Sequence, residues 1–294
     1  MNLALVIAVW KRHDLERIVI DNFKRQSAKY GFQIIIAGSE GDSSKALAEG
    51  CHYLEVPNKP VSNKHLKLSE KAKELDVDGV VLMGSDDIVN DEYWDFIYSL
   101  SADEESLIGL KDFYFYDVES KELAYWGGYR NGKQTAGAGR FFSRKVLEQV
   151  DWKLWRRGLN KGLDSSTNKI LKAKEIGEKS YTMDETNAFL VDVKHTHSIT
   201  SKAIIGACNV VNSEIMAKKL GNKVVEELDK LEQPKPRAKR APKKVKIEKV
   251  SLDYSKEYVF IANNVSKHLK SGKEYNLDGR KAEILINKGY GKLK

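Results

Sequence analysis

Apolar positions in the first third of the chain follow two alternating periods. Residues 3–9 (Leu-Ala-Leu-Val-Ile-Ala-Val) form a continuous apolar run of strand length, and a charged stretch from 13 to 29 carries Leu15, Ile18, Val19, Asn22 and Phe23 at helical spacing. The unit repeats. A second strand is predicted at 32–37, a short helix at 43–49, a third strand at 53–56, a helix at 63–75 and a fourth strand at 79–83. Continuous apolar strands alternating with helices predict a mainly parallel sheet covered on both faces. Right-handed crossovers then bring the loops after each strand to one edge, where open α/β sheets bind ligands.

Beyond residue 105 the pattern changes. Residues 113–117 (Phe-Tyr-Phe-Tyr-Asp) and 122–126, separated by a polar turn, predict a hairpin. A Gly-rich loop at 127–139 precedes a short helix at 143–149. A further helix is predicted from Asp164 to Lys174, short strands at 179–183 and 188–193, and a long polar helix at 210–231. Residues 233–244 hold three of the five prolines and almost no large apolar side chain, which predicts an extended linker. After it, 258–262, 272–277 and a helix at 279–288 predict a small ββα unit whose size favours docking on something larger. The domains expected are 1–232, a basic linker at 233–250 and an adaptor at 251–294.

Composition and charge narrow the function classes. The chain has 294 residues, 33.3 kDa and 41% hydrophobic residues, enough for a core. No window approaches the roughly 18 apolar residues of a membrane span, and the opening segment lacks the features of a secretory leader. A soluble cytoplasmic protein without membrane insertion is expected. Cys51 and Cys208 have neither disulfide nor zinc spacing and are expected to be buried. The net charge of +8 is uneven: residues 233–294 carry +11, leaving −3 for residues 1–232. Attraction to a polyanion such as DNA is therefore expected of the tail, not of the larger domain.

Several residues are placed where chemistry is expected. Asp86 and Asp87 lie at the C-terminal tip of the fourth strand, either as ligands for a divalent cation bridging a diphosphate or as caps for a helix at 91–100. Trp10, Lys11, Arg12 and His13 follow the first strand. Glu40 and Asp42 follow the second, and either also suits a helix cap at 43. Lys64 opens a helix whose N-terminus favours anions, and a solvated lysine is the alternative. Asp164 begins a helix, where an aspartate before Ser-Ser-Thr suits an N-cap. His195 and His197 point the same way from an extended segment.

The order of Val-Trp-Lys-Arg-His after the first strand, Gly-Ser-Glu-Gly-Asp after the second, Pro57-Asn58-Lys59-Pro60 before a helix and Gly84-Ser85-Asp86-Asp87 at a strand end resembles the GT-A glycosyltransferases, especially family 2. The resemblance spans about residues 3–200. It implies a Rossmann-like GT-A sheet with an antiparallel acceptor-side extension. The implied reaction is an inverting sugar transfer from a nucleoside-diphosphate sugar to an acceptor hydroxyl, assisted by Mn2+ or Mg2+. It also implies roles: Trp10, Arg12, Glu40, Asp42, Lys64, Ser85, Asp86 and Arg140 at the donor, Asp164 as catalytic base, and Asp86, Asp87 and His197 at the metal. Gly84 stands where the family has its first aspartate, and Asp87 is the candidate to compensate. The C-terminal unit resembles a small module of bacteriophage proteins, structural ones among them. The acceptors this suggests are modified phage DNA, a virion or other protein, or a glycan. A non-catalytic phage binding or structural protein of the same fold is the alternative. A nucleotidyltransferase ranks lower, because residues 8–12 contain no glycine for a phosphate loop.

Overall fold

The structure, a computed structural model, describes residues 1–129, 132, 134–195, 208–231, 251–262, 272–287 and 290–294. The chain divides into two compact units, Met1–Pro234 and Lys235–Lys294.

The larger unit opens with the βα repeats: β1 (Leu3–Ala8), α1 (His13–Tyr30), β2 (Gln33–Gly38), α2 (Asp42–Leu47), β3 (His52–Glu55), α3 (Val61–Glu74) and β4 (Gly79–Met83). Next come β5 (Asp87–Val89), α4 (Asp91–Ser99), β6 (Ser106–Leu110), β7 (Phe113–Asp117), β8 (Glu122–Trp126), β9 (Arg140–Ser143), α5 (Arg144–Gln149) and α6 (Leu163–Ala173). β10 (Gly177–Tyr181), α7 (Met183–Thr186), β11 (Leu190–Lys194), β12 (Asn209–Val211), α8 (Glu214–Leu220) and α9 (Asn222–Asp229) close it.

Seven strands form the main sheet in the order β10-β6-β9-β4-β1-β2-β3, and only β9 runs against the rest. The uninterrupted apolar runs have a direct explanation. Leu3, Leu5, Ile7, Val81 and Met83 belong to one core, whereas Ala4, Val6, Val80 and Leu82 belong to the core on the opposite face. Helix α1 turns Leu15, Val19 and Phe23 into the first core and ends at Gly31, whose left-handed φ of 81° suits glycine. A second sheet, β12-β8-β7-β11-β5, holds the expected hairpin as β7 and β8. In the smaller unit, β13 (Glu257–Ala262) pairs with β14 (Glu274–Asp278), α10 (Gly279–Asn287) follows, and β15 (Gly291–Leu293) adds to the other edge of β13. Phe260 and Ala262 anchor its small core. The fold class is the expected one: a mainly parallel α/β sheet with an antiparallel extension, GT-A-like, and a small C-terminal unit with a ββα core.

Several expectations are corrected. The long helix at 210–231 is a strand and two helices, because Gly221, at φ 89° and ψ 148°, breaks the helical path. The segment 140–143, for which no strand was expected between the Gly-rich loop and the helix at 143–149, is the antiparallel strand β9, inserted between β4 and β6 with Phe141 and Phe142 buried on opposite faces. Cys51 and Cys208 are half-buried rather than buried. The proposed linker at 233–250 lies outside the described residues. Among the described residues, no helix is long and apolar enough to cross a membrane.

Candidate functional site: a carboxylate cluster at the strand tips

The tip of β4 is a short turn, Gly84-Ser85-Asp86, that leads directly into β5. Because β5 pairs with β11, Asp87 faces Asp192 across the ladder, and the Val193 amide donates to the Asp86 carbonyl at 2.8 Å. Asp86, Asp87 and Asp192 each bring a carboxylate oxygen within 4.8 Å of the others. Asp192 was missed in the sequence; its signal was a lone carboxylate in the apolar strand Leu-Val-Asp-Val.

Two cations serve this cluster. Arg12 Nη1 donates to Asp86 at 2.5 Å and Nη2 to Ser85 Oγ at 2.9 Å. Lys194, fully buried, donates to Asp192 at 2.5 Å. Asp87 accepts from the Gly84 amide at 2.5 Å and has no ion-pair partner among the described residues. Burial first, then the Asp192 and Asp86 charges, push the Asp87 pKa well above the carboxylate range. Burial and Asp86 raise that of Asp192. Burial disfavours the Arg12 charge, but Asp86 more than offsets it, so the Arg12 pKa rises. Asp192 Oδ1 is buried with no hydrogen-bond partner among the described residues. Crowded hard oxygens, an excess of negative charge and an orphaned carboxylate oxygen fit a divalent cation.

The glycine at position 84 is explained here. A Cβ on Gly84 would lie 2.6 Å from Asp87 Oδ2 and 2.8 Å from Asp86 Oδ1. The Asp87 carboxylate thus fills the space that a side chain at 84 would enter.

Behind the cluster, Glu16 of α1 is fully buried and accepts from the Trp10 amide at 2.6 Å and from Ser85 Oγ at 3.2 Å. Burial raises its pKa. This residue was not anticipated; it ties the loop after β1 to the tip of β4. The Trp10 ring is 37% exposed, with Lys11 Nζ 4.4 Å above its centroid. Glu40 is no helix cap. It accepts from the Lys11 amide at 2.7 Å and pairs with the His13 ring at 2.8 Å, and these contacts outweigh burial to lower its pKa. Asp42 is the first residue of α2, outside this network and making no cap. Lys64 is buried, not solvated: its ammonium donates to the Val9 carbonyl at 2.7 Å and Ser39 Oγ at 3.0 Å, and burial lowers its pKa. It therefore fastens the ends of β1 and β2 together. Neither Asp86 nor Asp87 caps α4, since Asn90 does.

Asp164 and Arg140 form a second pair along the same edge, where β9 lies beside the end of β4. Asp164 is the second residue of α6, not its cap, and its side chain is half exposed. Arg140 is 1% exposed. It donates to Thr135 Oγ1 at 3.0 Å, the Ala136 and Thr135 carbonyls at 2.9 and 3.1 Å, and Asp164 at 3.3 Å. Loop carbonyls, a threonine hydroxyl and Asp164 thus take up its nitrogens. Gly137 leaves room for the carboxylate: a Cβ there would lie 2.9 Å from Asp164 Oδ2. His197 lies outside the described residues.

No family model matches the chain, and no curated protein matches its sequence. Several solved structures are similar to it. They include the catalytic domain of Drosophila β1,4-galactosyltransferase 7 in complex with xylobiose, at 10% identity over 96% of this chain and 97% of that one, TM-score 0.48. Another is a glycosyltransferase involved in glycosylation of the major capsid of PBCV-1, at 12% identity over 70% and 98%, TM-score 0.40. A third is CMP:2-keto-3-deoxy-manno-octonic acid synthetase with CTP, at 12% identity over 74% and 99%, TM-score 0.41. Likeness of this degree transfers no residue role, so the chemistry rests on the side chains of this chain.

Proposed function

We propose that this protein is a glycosyltransferase that moves a sugar from a nucleoside-diphosphate donor to an acceptor hydroxyl, with inversion and with Mn2+ or Mg2+ assistance. The observation that carries the reading is the Asp86, Asp87 and Asp192 cluster at the tip of β4, with one oxygen of Asp192 unpartnered among the described residues. These three residues would hold the cation, which supplies charge stabilisation to a departing diphosphate. Arg12 reaches Asp86 of the same cluster and can answer phosphate charge. Trp10, partly exposed beside Lys11, offers a face for the nucleotide base, and Glu40 and Asp42 offer carboxylates for ribose or base. Glu16, Lys64 and Ser85 hold the strand ends in place.

Asp164 is the proposed base. It takes the acceptor proton as the new bond to the sugar forms and the bond to the diphosphate breaks. Arg140, buried and multiply bonded, fixes the carboxylate over Gly137 while leaving it half exposed. The proposed acceptors are modified DNA, a protein or a glycan, drawn near by the basic C-terminal region. A thermal-shift screen of UDP-, GDP-, CMP- and dTDP-sugars with and without Mn2+ tests the reading. Stabilisation by one nucleotide class that requires Mn2+ supports it. No shift with any of them would move the assignment to a non-catalytic binding protein.

A further inference from the structure

We infer that the segment joining α5 to α6 is a docking lip for the phosphodiester backbone of a nucleic acid, which becomes the acceptor if the transferase reading holds. Residues 152–163 contain Lys153, Arg156, Arg157 and Lys161 and no acidic residue, although residues 1–232 carry a net −3. Lys153 pairs with Asp151. Arg156, Arg157 and Lys161 are exposed, as is Lys59 on the loop before α3, and none of these four is in an ion pair among the described residues.

The lip is held firmly. Trp152, Leu154 and Trp155 are buried in the core beneath it. The Arg156 amide donates to Ser166 Oγ at 2.9 Å, the Leu159 amide to Ser62 Oγ at 2.9 Å, and the Ser62 amide to the Leu159 carbonyl at 2.9 Å. Cations on a pinned backbone lose less conformational freedom on binding than cations on a loose loop. The segment runs straight into α6, so Lys161 stands three residues before Asp164, and the free charge leads to the candidate base.

The shape favours a linear polymer over a small anion. Two hollows of about 290 and 180 Å³ share Leu66, Glu70 and Arg157 and so form a track along α3, with Lys59 on the first. Trp152 and Trp155 line the second hollow but are only 4% and 3% exposed, too little for a base to stack on either ring. Contact would be to the backbone, the mode in which phosphate charge dominates affinity.

Fluorescence anisotropy of a labelled DNA duplex of about 20 base pairs, titrated with the full chain from about 50 to 200 mM KCl, tests the lip. With Arg156→Ala, Arg157→Ala and Lys161→Ala combined, the affinity should fall at least about tenfold, and the slope of log K against log salt should lessen by about 2 to 3, near 0.9 per lost phosphate contact. Arg156→Lys with Arg157→Lys should retain most of both, and the circular-dichroism melt verifies that each variant is folded. Unchanged affinity and slope in the triple variant, or no binding by the wild type, would overturn the proposal. Equal binding of poly-glutamate, lost in the same variant, would also overturn it, since the lip would then read charge alone. No donor is present in this assay, so its failure and that of the transferase reading are distinguishable.

Discussion

Two carboxylate sites share the C-terminal edge of the main sheet and are built in opposite ways. Asp86, Asp87 and Asp192 are crowded together and served by two cations, and their surroundings raise the pKa values of Asp87 and Asp192. Asp164 stands on the first turn of a helix with its side chain half exposed and one buried arginine behind it. The crowded site has negative charge in excess of its cations, the condition that a divalent cation relieves. The open site keeps an acceptor oxygen within reach of solvent, the condition for taking a proton from a hydroxyl. Both depend on a glycine, Gly84 in one and Gly137 in the other, whose missing Cβ makes room for a carboxylate.

The largest expected effect separates the sites by function. Asp164→Asn should lower turnover of donor and acceptor by about 10²- to 10⁴-fold, the usual worth of a general base, while the Mn2+-dependent thermal shift with the donor nucleotide stays at its wild-type size. A variant that turns over normally would remove Asp164 from the chemistry.

Paired alanine substitutions at the glycines sharpen the contrast. Gly84→Ala should weaken Mn2+ binding about 10- to 100-fold, as loss of support around a ligand set does, measured by calorimetry. Gly137→Ala should leave Mn2+ binding alone and cost about 10- to 100-fold in kcat, because a displacement of about 1 Å at the reacting group is that expensive. If both variants lose both properties, the two sites form a single unit and the contrast fails.

The smallest effect is in pH dependence. Asp87 and Asp192 bind protons more readily in the folded chain than in the unfolded one. Their contribution to stability is therefore present below the ordinary carboxylate range and is lost as pH rises through their raised values. A cation needs these oxygens deprotonated. The increase in Tm on adding Mn2+ should accordingly be a few degrees at pH 8 and shrink steadily toward pH 5, while Asp164→Asn leaves that profile unchanged. A Tm gain that is flat from pH 5 to 8 would count against the crowded-site description.

Much of the scaffold was legible because it is written in local periods. The runs of β1, β2 and β4, the helical spacing in α1 and the hairpin of β7 and β8 each show themselves within a dozen residues. β9 and β15 were not legible. A four-residue strand between a Gly-rich loop and a helix, and a three-residue strand at the chain end, are too short for a period to emerge. The tip of β4 was legible as acidic, but its third member was not: Asp192 lies 105 positions beyond Asp87, and only the pairing of β11 with β5 brings them opposite. The apparent defect at Gly84 was likewise readable only in three dimensions, where Asp87 fills the space.

The sequence by itself determined the α/β class, the strand whose tip carries the carboxylates and the concentration of positive charge in the tail, because each follows from neighbouring residues or a simple count. Tertiary structure decided which charges meet. It turned Lys64 and Arg140 inward to hold strand ends and a loop, recruited Glu16, Asp192 and Lys194, and left Arg156, Arg157 and Lys161 exposed with no acidic partner among the described residues. The physical reason is that burial and Coulomb energy depend on distance in space, and residues far apart in sequence acquire that distance only when the sheets assemble.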